Sequence, residues 1–412
     1  MNKVKLGSIL KLKHGYAFKS ENYVEKSEYM LVTLANFTED NNFKLNYDKA
    51  TYYGAEFPKE FVLKENDLIM PLTEQVVGLF GNTAFIPKEN GITFVLNQRV
   101  AKVIPDETKV DKYFLHFLLA TNYIKEQLEY RANGTKQRNI SPDDVYDVEA
   151  FLPDIIEQRK IGKFLYNLEC KINNNKKIID NLYDIINTTF IKWFINYDFP
   201  GNNGEKKYDQ NIKSEIPIDW ATKKICEIEQ NIITGKTPST SNKEYYDGNI
   251  PFITIDDIRK APYIVSANRM LSKKGADSQN KKYIPENSLC ITCIATVGLV
   301  GITTELSQTN QQINSIICEN KNNVYFLFSS IENYFKYSSG AKDGNIFKNM
   351  NKDDFSNIYL VYPSSNVLNK YCNIISPLFK KIKICEMENK ELEETKKKFI
   401  PLLLNSQIKI ED

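Results

Sequence analysis

Residues 154–196 read DIIEQRKIGKFLYNLECKINNNKKIIDNLYDIINTTFIKWFIN, and the spacing of their apolar side chains decides the architecture. Steps of four and three connect Ile161, Leu165, Leu168, Ile172, Asn175, Ile179, Leu182, Ile186, Thr189 and Trp193. A seam sustained over that many turns predicts a long helix packed along a second one. Adding 210 to each number yields the second: Tyr371, Ile375, Leu378, Ile382, Cys385, Asn389, Leu392, Lys396, Phe399 and Leu403. At ~1.5 Å per residue each helix is ~60 Å long. Pro153-Asp154 and Pro363-Ser364 stand where N-caps belong.

The repeat extends outward from the seams. Tyr113-Phe114-Leu115 returns as Tyr325-Phe326-Leu327, and Gly78-Leu79-Phe80-Gly81 as Gly298-Leu299-Val300-Gly301. Asn97-Gln98-Arg99-Val100 returns as Asn310-Gln311-Gln312-Ile313, and Asp143-Asp144 as Asp353-Asp354. A common order at a near-constant offset makes the chain two copies of one unit. Residues 1–153 form a first domain, 154–196 a first helix, 197–363 a linker with a second domain, and 364–412 a second helix. Short apolar runs at Phe61–Met70, Phe94–Ile104, Pro251–Ile255, Ser288–Ala295 and Gln312–Cys318 read as strands. Helical stretches follow near Lys112–Glu129 and Tyr325–Tyr337, and Asn196–Trp220 has the texture of a linker. The fold class is therefore α+β (mixed α/β): two similar domains separated by two long helices, with a pseudo-two-fold internal repeat. The second domain must leave the end of one helix and join the start of the other, which favours an antiparallel coiled coil and puts the domains at its two ends. Full overlap of the seams then sets Asn175 against Asn389 and Leu182 against Ile382.

Composition narrows the function. The chain has 412 residues, 42% hydrophobic and 26% charged, enough for two to four globular domains. No apolar run reaches the ~18 residues of a membrane span. The first residues lack a signal-peptide pattern and the seven cysteines are scattered, so the expectation is a cytoplasmic protein with reduced thiols and no membrane partner. Net charge is +2, with 19 basic against 21 acidic groups in residues 1–153 and 19 against 19 in 197–363. Composition alone thus announces no polyanion partner.

Signals for chemistry fail in turn. Two distant histidines, His14 and His116, make a histidine metal centre or a hydrolytic triad a poor reading. Thr234-Gly235-Lys236-Thr237 holds the GKT of a phosphate loop, but Gln230 stands where its first glycine belongs. Cys290 and Cys293 have zinc-ligand spacing without a second pair, and read as buried thiols. The Pro105–Lys109 cluster bunches its acids too tightly for a nuclease site and reads as a turn. No methyltransferase motif or glycine-rich cofactor loop is evident, so no catalytic or metal-binding residue is assigned. What remains are polar loops at matching places in the two copies. Gly134–Ser141 is answered by Gly340–Ile346, and the loop from Lys13 to Lys19 accompanies Gly235–Thr240. Such side chains pair with base edges or hold phosphates, although a surface loop of this kind is commonly just solvated. Asn97-Gln98 and Asn310-Gln311-Gln312 follow strands, where their amides can instead organise a turn.

At these residues the sequence resembles the DNA-specificity subunits of type I restriction-modification systems, over essentially the whole chain. In the first copy the resemblance rests on GYAFKS at 15–20, GTKQRNIS at 134–141 and LPDIIEQRKI at 152–161. In the second it rests on TGKTPST at 234–240, ATVGLVG at 295–301 and TNQQINSII at 309–317. The second copy departs from the pattern where Val367-Leu368 replaces Glu157-Gln158. The resemblance implies a non-catalytic selector. Each domain would read half of a bipartite site on double-stranded DNA, while the helices set the half-site spacing and dock two methyltransferase subunits, with restriction subunits joining in turn. S-adenosylmethionine, ATP and magnesium would belong to those partners, and the chain itself would hold no cofactor. The candidate DNA contacts are Lys13, Lys19, Lys136, Gln137, Arg138, Asn139, Lys236, Thr237, Ser239, Lys342, Asn345 and Lys348. Glu157, Gln158 and Arg159 are the candidate partner contacts. A scaffold whose two heads bind only proteins, and an enzyme acting alone, are the readings to be separated from this one.

Overall fold

Asp154 starts the first long helix as expected: its Oδ1 accepts the backbone N–H groups of Ile156 and Glu157, each at 3.0 Å. The helix runs Ile155–Phe190 and ends in a wider turn, Ile191–Ile195. The second long helix is Ser365–Leu404. The structure, a computed structural model, describes residues 1–75, 78–134, 137–259, 261–339 and 349–411. Residues 1–170 with 394–412 form one compact unit and residues 171–393 another, so the division cuts both helices.

Within each unit the helices pair antiparallel. In the first, the Phe164 ring meets Phe399 edge-on at 6.2 Å, and Glu169 forms an ion pair with Lys396. In the second, Asn175 Nδ2 donates to Asn389 Oδ1 at 3.0 Å, so the two asparagines meet in the register that the seams predict. Lys171 with Glu388 (3.1 Å) and Lys176 with Glu393 (3.6 Å) flank that layer. The seam is apolar on either side of it: Ile161, Leu165, Ile172, Ile186, Tyr371, Ile375, Ile382, Cys385 and Leu403 are all buried.

In the first unit the main sheet has strands β1 (Leu10–His14), β2 (Leu68–Pro71), β4 (Ala84–Phe85) and β5 (Val100–Pro105) in the order β1-β5-β2-β4, all antiparallel. Short strands β3 (Thr73–Glu74) and β6 (Arg138–Asn139) pair beside it. The second unit repeats the plan with β7 (Ile232–Thr234), β9 (Leu289–Thr292), β10 (Val300–Thr303) and β11 (Ile313–Ile316) in the order β7-β11-β9-β10. It adds a parallel edge strand, β8 (Tyr263–Ile264). Their apolar side chains, among them Leu68, Met70, Ala101 and Val103 in one copy and Leu289, Ile291, Val300 and Ile302 in the other, are buried with helices Lys112–Leu119 and Lys321–Ser339 respectively.

Three expectations are corrected. The run Phe94–Ile104 is two strands, Thr93–Leu96 and Val100–Pro105, interrupted by a turn at Asn97-Gln98-Arg99. The first helical stretch breaks at Ala120-Thr121 into Lys112–Leu119 and Asn122–Arg131. The linker Asn196–Trp220 is folded: Lys206–Asp209 and Ser214–Pro217 form a hairpin, and Trp220 is buried with Phe199 stacked on it at 4.8 Å. Aromatic anchors compensate there for the missing apolar period.

Candidate nucleic-acid interface

Strand register gathers the polar segments at one end of each sheet. In the first unit His14 ends β1 opposite Ala101 near the start of β5, and Val100 at that start faces Pro71 at the end of β2. The chain leaving β1 at Gly15, the turn before β5 and the stretch leaving β2 are therefore neighbours. In the second unit Thr234 faces Asn314 and Thr292 faces Ile313, so the equivalent ends coincide again.

Most of the backbone bonds there recur in both copies. Gly15 N–H donates to Val100 C=O (3.1 Å), as Gly235 N–H does to Ile313 C=O (3.0 Å). Tyr16 N–H reaches Leu96 C=O at 3.0 Å, and Lys236 N–H reaches Thr309 C=O at 2.9 Å. Asn97 and Asn310 hold their turns with Oδ1, which accepts the Arg99 N–H at 3.3 Å in one copy and the Gln312 N–H at 3.0 Å in the other. Leu72 N–H donates to Arg99 C=O, and Cys293 N–H to Gln312 C=O; Ile140 N–H then donates to Leu72 C=O, and Met350 N–H to Cys293 C=O. Both glycines are obligatory, because a Cβ at Gly15 would lie 2.0 Å from Asn97 O and one at Gly235 2.2 Å from Asn310 O.

The copies differ in what holds the next loop. Glu74 is buried; its Oε2 accepts the N–H groups of Leu79 (2.9 Å) and Phe80 (3.2 Å), and its Oε1 accepts Arg138 Nε at 2.7 Å. The guanidinium also lies over the Phe80 ring, 5.7 Å from its centroid. Arg138 is thus committed to the loop's own structure, which corrects its reading as a free DNA contact. The second copy has Ala295 in place of this acid, while Ile294, in the place of Thr73, is bridged to Asn349 as Thr73 is paired with Asn139.

The remaining candidates divide by exposure. Lys19 is exposed, 3.7 Å from Glu21, and Lys13 donates to the Glu60 backbone carbonyl at 2.6 Å. Asn139 is exposed, though its Oδ1 accepts from Thr73 Oγ1 (2.8 Å) and from Gln137 Nε2 (3.4 Å). Lys236 and Ser239 are exposed, while Thr237 Oγ1 donates to Gln311 Oε1 at 2.6 Å. Lys136, Lys342, Asn345 and Lys348 lie outside the described residues. Gln158 is buried, with Oε1 accepting from Asp111 N–H (3.1 Å) and Nε2 donating to the carbonyls of Lys109 and Pro153. Its amide is spent inside the unit, which corrects its reading as a partner contact. Arg159 beside it is exposed, and Glu157 is half-buried.

Cys290 and Cys293 are buried strand residues whose thiols burial pushes up to about 12 and about 11. Among the described residues no group of three or more His, Cys, Asp and Glu side chains is placed to hold a metal ion, and no helix is long and apolar enough to cross a membrane. Sequence reasoning passed over Glu74, Tyr16 and Arg99. Glu74 carried no local signal, because its partners lie 5 to 64 positions away.

The fold and these sheet ends define a class: a duplicated α+β chain with one polar, backbone-clamped end per copy, its halves continuous with paired long helices. The chain belongs to the type I restriction modification DNA specificity domain family, which matches residues 1–183 and 217–394. It is 30% identical over 390 residues to the type I restriction enzyme HindI specificity subunit of Haemophilus influenzae, covering 80% of this chain and 84% of that one. It is 28% identical over 197 residues to the MjaIX specificity subunit of Methanocaldococcus jannaschii, covering 46% of this chain and 45% of the relative. The S subunit of a type I restriction-modification system from M. genitalium shares the fold, with a TM-score of 0.65 at 14% identity across 98% of this chain and 95% of that one.

Proposed function

We propose that this chain selects the DNA target of a type I restriction-modification complex and performs no chemistry itself. Residues 1–153 and 197–363 act as its two recognition domains, each presenting its polar sheet end to one half of a bipartite duplex site. The observation that carries this reading is the duplicated sheet end, where the same backbone bonds hold two different sets of exposed side chains. Base edges specify and phosphates position, so Lys13 and Lys19 suit the backbone, and Gln137, Asn139 and Ser239 the groove. The paired helices, with Glu157 and Arg159 at the entry to the first, dock two methyltransferase subunits; restriction subunits complete the assembly in the cytoplasm. S-adenosylmethionine, ATP and magnesium are bound by those partners. A near-neutral chain suits this division, since flanking subunits can supply much of the phosphate contact.

The test is methylome sequencing of cells expressing the chain with its methyltransferase subunits, beside a hybrid whose residues 1–153 come from a relative. One half of the methylated motif should change and the other persist. A change in both halves, or methyl transfer by the purified chain alone, refutes the reading.

A further inference from the structure

The two copies within one chain serve as each other's comparison. The clamped frame at the sheet end is largely shared by the copies, and so is the exposed glutamine of its turn, Gln98 and Gln311. Two other positions on the frame differ between the copies. Position 16 follows the obligatory glycine and is Tyr16 in the first copy and Lys236 in the second. Position 99 closes the asparagine-held turn and is Arg99 in the first copy and Gln312 in the second.

In the first copy the Arg99 side chain is not spent on the fold, and the packed Tyr16 ring keeps one side open. Arg99 is exposed and has no hydrogen-bond or ionic partner among the described residues. Its backbone, by contrast, is held on both sides, by Asn97 Oδ1 at its N–H and by Leu72 N–H at its carbonyl. The Tyr16 ring is 36% exposed and is braced by Phe18 (5.0 Å, edge-on) and Phe61 (5.2 Å), while its carbonyl accepts the Gln98 N–H at 2.9 Å. Both are therefore side chains on rigid mounts, which is what base readout requires and a merely solvated loop does not supply. In the second copy Gln312 accepts a bond from Asn310 Nδ2 at 3.0 Å, so part of its amide is occupied and Lys236 is the freer tip.

Resting on the DNA-reading function proposed above, we infer that Tyr16 and Arg99 determine the base preference of the first recognition domain and that Lys236 does so in the second. Arg99 reads a guanine through its two parallel N–H groups, the pairing that an exposed arginine makes with guanine O6 and N7. Tyr16 packs its ring beside it and limits which neighbouring base fits. Lys236, a point charge with three donors, accepts a broader set of base edges than a planar fork does.

The experiment exchanges residues between the copies, so that each exchange carries a side chain the same frame already supports, and adds Arg99→Lys to separate charge from shape. Complexes of the full chain with its methyltransferase subunits, bearing Arg99→Gln, Arg99→Lys, Tyr16→Lys or Lys236→Tyr, are used to methylate a randomised duplex library, which is then sequenced. Thermal unfolding of each variant verifies the fold, with no change expected for the Arg99 and Lys236 variants and a small loss for Tyr16→Lys, which gives up its contacts with Phe18 and Phe61. Arg99→Gln should reduce preference for one guanine in a single half-site about tenfold, which is about 1.4 kcal/mol, and Lys236→Tyr should alter only the other half-site. Arg99→Lys should relax the same guanine while keeping the salt dependence of binding, because the charge stays and the fork goes. An unchanged motif with uniformly weaker methylation, or an Arg99→Lys complex that discriminates like the parent, would assign these residues to phosphates and overturn the inference. A parent complex that methylates no bipartite motif would instead remove the functional reading on which the inference stands.

Discussion

Replacing the buried asparagine pair tests the helix register most sharply, because single and double substitutions should move stability in opposite directions. Asn175 Nδ2 donates to Asn389 Oδ1 at 3.0 Å and to Glu388 Oε2 at 2.8 Å, and Asn389 Nδ2 reaches the Ile172 carbonyl at 3.4 Å. Asn175→Leu strands the buried Asn389 oxygen, a desolvation cost of ~1–3 kcal/mol. Asn175→Leu also gives up the bond to Glu388, worth ~1 kcal/mol, and the new leucine returns ~1.5 kcal/mol of burial, so this single variant should lose ~0.5–2.5 kcal/mol. In the double variant no partner is stranded and two leucines are buried, so a gain of about 1–2 kcal/mol is expected, as when buried polar groups give way to well-packed apolar ones. Hydrogen exchange of amides 172–178 and 386–392 reads the local opening free energy in all four chains. Additivity within ~0.5 kcal/mol would mean that the asparagines act independently, and the buried layer would be wrong. As a second readout, Asn175→Cys with Asn389→Cys should crosslink readily in a chain whose seven natural cysteines are replaced, whereas crosslinking of 175 with 385 instead would mean parallel helices.

Further expectations concern single sites. Gly15→Ala should destabilise the first unit by ~1–3 kcal/mol as the chain shifts to relieve overpacking, and reduce methylation dependent on one half-site; Gly235→Ala should do the same for the other, and an unperturbed motif in both would contradict the clamped frame. Burial raises the Glu386 carboxyl to about 8 from an ordinary value of 4.5, against a single bond from Tyr263 N–H at 3.0 Å. The folded chain thus keeps a proton that the unfolded chain has released, and stability should fall as pH rises from about 4.5 to about 8. Glu386→Gln should flatten that slope, so a melting-temperature gap over wild type that does not widen between pH 5 and 8 refutes the assignment. Gln158→Ala should cost ~1–3 kcal/mol in thermal unfolding by releasing its buried bonds, while Arg159→Ala stays within ~0.5 kcal/mol but weakens co-purification of methyltransferase subunits.

The sequence made the repeat and the helices legible because their signals are local and periodic. Every seam residue from Ile161 to Trp193 takes its meaning from neighbours three and four positions away, and the register then follows from matching two such lists. The Asn97 turn was half visible: its amide was recognised as a possible turn organiser, but the strands on either side read as one run. Glu74 was invisible, since a lone acid in a two-residue strand declares nothing until the fold brings Arg138 and the Leu79 and Phe80 amides to it. The folded linker was hidden for a related reason: Phe199 and Trp220 lie 21 positions apart, beyond any periodic window. Arg138 and Gln158 show the opposite failure, polar side chains whose types suggest partners outside the chain and whose bonds lie within it.

The backbone clamp at each sheet end also bears on how such a protein changes over generations. Bonds between main-chain groups do not depend on which side chains ride above them, so substitutions at Arg99 or Lys236 leave the frame standing. On the base-reading role inferred above, one or a few such substitutions would shift the target, whereas Gly15, Gly235, Asn97 and Asn310 are the points the frame cannot give up. Two independent clamps let either half of the target vary while the other is kept under selection.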